Sequence, residues 1–232
     1  MQQVLIIGYG GIGAALAAYY AEHGYAVTVA SRQPPDHHGY HWRMIDEQAL
    51  PNDMPWLKDL LQQDDCLVIC TIGVLHTDHI QPEKSIRQFN VAQTSELMHH
   101  NLITPMLWLQ HISRYIDRRH SHKILVLSAK VGSISDNQLG GWYSYRASKA
   151  ALNMMVKTFA IELKRSGYRT VVAAVHPGTT DTALSAPFQR GLAEGYLQSP
   201  AQTAARLAQV MAELIPAQHG CLLNWDGQVL PF

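Results

Sequence analysis

The sequence predicts an α/β domain: a doubly wound parallel sheet with helices on both faces. Three features carry that expectation. Short apolar runs alternate with longer segments of helical periodicity along a chain of 232 residues. A glycine-rich turn, Gly8-Tyr9-Gly10-Gly11-Ile12-Gly13, joins the first apolar run to the first helical segment. A tyrosine stands four residues before a lysine, Tyr145 and Lys149, where a long helical segment follows an apolar run ending in Ser128.

Residues 4–7, 26–30, 66–71, 124–128, 170–175 and 221–224 are apolar or β-branched on both faces, as strands of a parallel sheet buried on both sides must be. Residues 41–45 form a seventh, less apolar candidate. Helical spacing runs over residues 11–23, 54–62, 83–99, 102–118, 144–164 and 200–214. Strictly alternating elements imply right-handed crossovers and helices on both faces of one sheet. Residues 34–40 read as a surface loop, and no repeat or linker divides the chain. One domain over residues 1–232 follows, and a hydrophobic content of 47% suffices to fill its core.

Eighteen basic residues balance eighteen acidic ones, so no field directs the chain to nucleic acid. The first strand begins at Val4, which leaves no space for a signal peptide, and no apolar run approaches the ~18 residues of a membrane span. A cytoplasmic protein is expected. Cys66, Cys70 and Cys221 are odd in number and sit in strand-like runs, so they read as reduced thiols. Among thirteen histidines, His37, His38 and His41, or His76 and His79, lie close in sequence. No acidic or cysteine ligand completes either set, and no metal is expected.

In the glycine turn, Gly8 permits the tight bend, Gly10 lets backbone approach a pyrophosphate, and Gly13 allows close helix–strand packing. The N–H groups that open the helix around Gly11 and Ile12 then face the phosphates. At the end of the second strand a carboxylate would hydrogen-bond a ribose 2′-hydroxyl. This chain has Ser31 and Arg32 there, a hydroxyl and a guanidinium suited to a 2′-phosphate, which favours NADP(H) over NAD(H). Asp46, after the third strand, either meets the adenine amino group or caps the next segment.

Residues i and i+4 share a helix face, so Tyr145 and Lys149 project toward one place. A phenol titrates near ~10, and a neighbouring ammonium favours the phenolate. Pro105 lies four residues after Asn101 within a helical pattern and has no N–H to give to the Asn101 carbonyl. Either that carbonyl takes another partner, or the proline only kinks the helix for packing.

Read together, Leu127-Ser128-Ala129-Lys130-Val131-Gly132-Ser133-Ile134, then Gly140-Gly141-Trp142-Tyr143-Ser144-Tyr145-Arg146-Ala147-Ser148-Lys149, then His176-Pro177-Gly178-Thr179 and the closing Asp226-Gly227-Gln228 resemble a short-chain dehydrogenase/reductase. The likeness is closest to the C-factor-like branch of small carbonyl-reductase-type proteins and runs nearly end to end. It implies a single Rossmann-like domain, NADP(H) as cofactor, a small carbonyl-type substrate and a homodimer or homotetramer, assembled through the helices at 102–118 and 144–164. By position it makes Tyr145 the general acid. Lys149 lowers the Tyr145 pKa and holds the nicotinamide ribose, and Asn101 is the fourth catalytic position. Cys70-Thr71-Ile72-Gly73 takes the place of the family's Asn-Asn-Ala-Gly, with Thr71 and Gly73 bordering the cofactor and the sheet edge stabilised in some other way. Pro177, Gly178, Thr179 and Thr182 fall where the family holds the nicotinamide amide and the pyrophosphate.

The pattern breaks in two places. The glycine loop is one residue shorter than the family's and lacks its threonine. Ala129 stands where the family has the serine that polarises the substrate carbonyl, and loss of such a donor costs ~10²–10³ in rate. Ser133 is the favoured substitute over Ser128, with both serines serving only turn backbone as the other reading. Dihydropteridine-reductase-like members also lack the serine, which admits a heteroaromatic substrate. A dinucleotide-binding signalling or redox-sensing role is the rival function. Residues 183–199 are expected to form a substrate lid, with Phe188, Tyr196 and Trp142 lining it and Tyr143 as pocket wall.

Overall fold

The computed structural model describes residues 1–36, 39–46, 50–62 and 66–232. Every expected strand is present: β1 (Gln3–Ile7), β2 (Ala26–Ser31), β3 (His41–Met44), β4 (Leu67–Cys70), β5 (Lys123–Leu127) and β6 (Val171–Val175), followed after two short additions, β7 (Thr179–Thr180) and β8 (Leu197–Gln198), by β9 (Leu222–Leu223). A further strand, β10 (Val229–Leu230), extends the edge. Eight strands form one sheet in the order β10-β9-β6-β5-β4-β1-β2-β3. All neighbours are parallel except β10, which runs antiparallel to β9. β7 and β8 pair separately. The order reverses between β1 and β4. Ile7 is in register with both Ala30 and Cys70, so the segments after β1, β2 and β4 open at one edge. Such a switch point is where open α/β sheets place ligands.

Side chains alternate across each strand, and the central strands are buried on both faces. Val4, Ile6, Leu125 and Ala173 face α1 (Gly11–Glu22) and α6 (Pro200–Glu213). Leu5, Ile7, Val126 and Val172 belong to the opposite layer with α2 (Pro55–Leu61), α4 (Thr104–Tyr115) and α5 (Tyr143–Arg165); α3 (Val91–Met98) packs on α5. All eight of these strand residues are fully buried, and each valine, leucine or isoleucine among them contributes about 1.5–3 kcal/mol. The start of α6 is fixed locally: Ser199 and Gln202 form a reciprocal capping box, with Pro200 in the first turn.

Two helices differ from expectation. The helix expected from residue 83 starts at Val91, and residues 86–88 make only a 3-10 turn. Asn90 caps it by accepting from the Gln93 N–H at 3.1 Å, while Glu83 is engaged by the start of α5. The gap expected between residues 99 and 102 does not exist. A π turn, His99–Ile103, joins α3 to α4 as one continuous helix. That wider turn absorbs the N–H that Pro105 lacks. α4 then ends at Tyr115, not at residue 118, because the Asp117 carboxylate accepts from the N–H groups of Arg119 and His120 and builds a turn. Among the described residues no helix is long and apolar enough to cross a membrane.

Candidate active site

The glycine turn does three separate things. Gly8 has φ +93°, a conformation that side chains disfavour, and it turns the chain out of β1. Gly13 packs so tightly on that turn that a Cβ would stand 2.4 Å from the Gly8 carbonyl oxygen. A Cβ on Gly10 would meet nothing within 4 Å. The open side of the turn is therefore at Gly10, a cradle of the kind a pyrophosphate needs. At Gly11 a Cβ would lie 2.6 Å from Thr182 Cγ2, so this glycine admits the segment after β6 against the helix start.

The family's sheet-edge asparagine is replaced by a hydroxyl. Thr71 Oγ1 shares its one proton between the carbonyls of Ile7 and Gly8, each at 3.1 Å, and ties β4 to the glycine turn. A cavity of about 250 Å³ opens here between Gly8, Gly10, Ser31, Arg32, Thr71 and Gly73, with His100 on the far wall. Arg32 is exposed in that wall, whereas Ser31 is buried and its hydroxyl donates to the Gln33 carbonyl at 2.6 Å. The guanidinium is thus the charge presented at the end of β2. Asp46 is exposed beyond β3 and does not line this cavity. His100 was not singled out by its sequence position; its signal is adjacency to Asn101 in the π turn.

Tyr145 and Lys149 occupy the first two turns of α5 and are 7% and 3% exposed. The Lys149 ammonium donates to the Leu127 carbonyl at 3.1 Å and lies 5.9 Å from the centre of the Tyr145 ring. Gly73 makes room for it: a Cβ there would be 3.2 Å from Nζ and 3.5 Å from Asn101 Oδ1. Lys149 therefore stands between the smaller cavity and the phenol. Burial lowers the lysine to about 8. Burial also raises the Tyr145 phenol above its ordinary range, so desolvation, not the ammonium, sets the phenol in this arrangement. Asn101 is fully buried. Its amide accepts from the Val74 N–H at 2.7 Å, donates to the Val74 carbonyl at 2.8 Å and donates to Ser148 Oγ at 3.1 Å. It locks the loop after β4 to α5 beside Lys149.

A second cavity, about 530 Å³, is walled by Tyr145, Trp142, Leu75, Ala129, Phe188 and Tyr196, with Ile12 and the segment Pro177, Gly178, Thr179 and Thr182 along one side. The Trp142 ring meets Tyr145 edge-on at 6.1 Å and Phe188 at 5.1 Å. The lid expected at residues 183–199 contributes Leu184, Phe188, Leu192 and Tyr196. Tyr143 does not wall the cavity; it is 40% exposed, on another face of α5. Gly178 has φ +81°, and its open α-carbon faces the Trp225 ring, 3.2 Å from a would-be Cβ.

Neither serine stands ready in place of Ala129. Ser128 borders the cavity, yet its hydroxyl donates to Asn153 Oδ1 on α5 at 2.6 Å. Ser133 is 1% exposed, lies off the cavity wall, and its hydroxyl accepts from the Asp136 N–H at 3.2 Å. His176, which sequence reading passed over, does line the cavity, and burial holds it neutral by lowering it to about 4. Its signal was its place directly before Pro177 at a strand end. Arg146 was also missed. Its guanidinium holds the turn into α5 through the carbonyls of Gly141, Val131 and Gly140.

None of the three cysteines is in a disulfide, and burial pushes the Cys66 thiol up to about 12. No group of three metal-ligating side chains is arranged around a common point among the described residues. His37 and His38 lie outside those residues.

An open parallel sheet with a glycine turn at its switch point, beside a buried tyrosine–lysine pair, defines a Rossmann-like fold. The chain belongs to the short-chain dehydrogenase family, whose sequence profile matches residues 2–193. It is 32% identical to C-signal of Myxococcus xanthus over 115 residues, 50% of this chain and 61% of that protein. The chain spans about half the length of the curated relatives it matches. In fold it is similar to the carbonyl reductase Sniffer of D. melanogaster, with a TM-score of 0.79 and 18% identity over all of both chains. It is likewise similar to the NADPH-bound carbonyl reductase from chicken fatty liver, with a TM-score of 0.75 and 21% identity over 100% of this chain and 99% of that one.

Proposed function

We propose that the chain is an NADPH-dependent reductase of a small, largely apolar carbonyl compound, with Tyr145 as proton donor. The observation that carries the reading is the place of Lys149. It sits between a glycine-cradled cavity bordered by Arg32 and an aromatic cavity walled by Tyr145. The residues present fit a phosphorylated dinucleotide: Gly10 offers open backbone, and Arg32 replaces the carboxylate that would repel a 2′-phosphate.

When bound, the reduced nicotinamide supplies a hydride. Tyr145 gives its phenolic proton to the carbonyl oxygen. Burial keeps that phenol protonated at neutral pH, and the Lys149 ammonium stabilises the phenolate left behind. The Leu127 carbonyl holds Lys149 in place, and Asn101 holds the loop that Lys149 passes. With Ser128 turned to Asn153 and Ser133 off the wall, Tyr145 also takes the carbonyl polarisation that Ala129 cannot supply. A planar substrate suits the edge-on rings of Trp142 and Phe188, and a heteroaromatic ring fits the same wall. Ala129 is the one observation that favours the rival, a dinucleotide-binding signalling or redox-sensing protein.

The test is NADPH oxidation by the purified protein against a panel of aldehydes, ketones, quinones and pterins. Turnover is expected, and Tyr145→Phe is expected to lower it by about 10³-fold with NADPH affinity within twofold. Tight NADPH binding with no turnover on any compound would transfer the assignment to the rival.

A further inference from the structure

The helix that carries Tyr145 begins without a cap of its own. Its first N–H groups have no partners within the helix, and the residue before it, Trp142, offers no side-chain hydrogen bond to them. Trp142 is moreover left-handed, with φ +53°, and follows two left-handed glycines, Gly140 and Gly141. It is the one non-glycine residue of positive φ among the described residues. A tryptophan holds that conformation only where its surroundings impose it.

Glu83 imposes it from another segment of the chain. This carboxylate is 3% exposed and comes from the loop between β4 and α3, 61 residues before Ser144. Its Oε2 accepts from the Ser144 N–H at 3.2 Å, and its Oε1 accepts from the Ser144 hydroxyl. Its backbone carbonyl accepts from the Trp142 N–H at 2.5 Å. Thr94 Oγ1 lies 2.7 Å from the Ser144 hydroxyl and completes the contact with α3. Arg146 grips the same turn from its outer side through Gly140 and Gly141. Ser144 is the residue directly before Tyr145, and the loop that brings Glu83 also brings Leu75, which packs on Tyr145 and Ala129. A negative group at a helix N-terminus is favourable by charge as well as by hydrogen bonding.

We propose that Glu83 is a positioning residue: a buried carboxylate that caps α5 from a distant loop and so fixes where the Tyr145 phenol and the Trp142 ring stand. The proposal rests on the reading of Tyr145 as proton donor. Both carboxylate oxygens are used, so glutamine, with a single acceptor oxygen, keeps part of the cap and alanine keeps only the backbone bond to Trp142. Removing the charge also leaves the helix N-terminus uncompensated, which favours the phenolate. The other charged or titratable groups around the phenol are Lys149 on α5, Arg146 one residue on, His176 after β6, and Lys130 and Asp136 after β5; none of them changes in the variants.

The experiment compares Glu83→Ala, Glu83→Gln and Tyr145→Phe in the intact protein. It reads hydrogen–deuterium exchange over residues 142–149, NADPH affinity, and turnover of the best compound from the panel. For Glu83→Ala the expected result is exchange at least ~10-fold faster and kcat at least ~10-fold lower, with NADPH affinity within about twofold. Glu83→Gln is expected to recover to within about threefold of the parent kcat. A Glu83→Ala protein that matches the parent in exchange and kcat, while Tyr145→Phe is inactive, overturns the role of Glu83 and leaves that of Tyr145 standing. A Tyr145→Phe protein that still turns over overturns the proton-donor reading instead. If Glu83→Ala does not fold, Ser144→Ala removes one donor to the carboxylate and is read in the same way.

Discussion

Ala129 is 8% exposed in the wall of the aromatic cavity, where the family carries a hydroxyl. Restoring it tests the chemistry directly. Ala129→Ser is expected to raise kcat for a ketone by at least ~10-fold, since one added transition-state donor is worth up to ~10²–10³. Steady-state kinetics on the panel compound measures this, and a heteroaromatic substrate would gain little. The glycines allow a matched comparison. Gly13→Ala drives a Cβ to 2.4 Å from the Gly8 carbonyl and is expected to cost about 2–3 kcal/mol in urea unfolding. Gly10 is in extended backbone with open space beside it, so Gly10→Ala should unfold like the parent and bind NADPH at least ~10-fold more weakly. Tyr145, Lys149 and Gly13 were legible because spacing alone defines their geometry. The partner of Ser128 was not, because Asn153 reaches it only when α5 packs over β5.

At the scale of elements, the strands were legible because runs such as Val4 to Ile7 are apolar at every position, which only a doubly covered strand tolerates. Helix ends were not. Asn90 and Asp117 stop or start helices through side-chain bonds that compete with helical periodicity over only two or three residues. The π turn at Asn101 is a register choice made within a helix and leaves no periodic trace. The joint between β1 and β4 makes a sharper prediction. Thr71→Val keeps shape and loses both bonds to Ile7 and Gly8, so it should destabilise the protein by about 1–2 kcal/mol and weaken NADPH binding by loosening the glycine turn. Urea midpoints and fluorescence titration of NADPH read the two effects separately.

For the whole molecule, two partly buried histidines set a response to acid. Burial lowers His176 from 6.5 to about 4, and it lowers His219, whose ring accepts from the Val172 N–H and bonds the Ala160 carbonyl. Both are depressed in the folded state, so the unfolded chain binds more protons below its own pKa of ~6.5. The stability they contribute is complete above pH ~6.5 and is lost as pH falls toward 4, with His176 contributing on the order of 2–3 kcal/mol. Urea unfolding between pH 7 and 4 should show the decline, and His176→Asn should flatten part of it. Assembly belongs to this scale too. Met154 and Ile161 are exposed one heptad apart on α5, and Ile103 is exposed beside α4, so we expect a dimer or tetramer through these helices. Sedimentation that finds only monomer removes that expectation.

By itself the sequence determined the doubly wound sheet, the glycine turn and the tyrosine–lysine pair, since each rests on spacings of a few residues that backbone geometry converts into position. Only the tertiary structure decided which hydroxyls are used up, as with Ser31 on Gln33 and Ser128 on Asn153, and that Thr71 replaces the family's asparagine at the sheet edge. It also decided that Glu83, which reads as the start of its own helix, instead caps the helix of Tyr145. A buried polar group takes whichever partner packing brings within 3 Å, and for Glu83 that partner lies 61 residues away, beyond the reach of any local pattern.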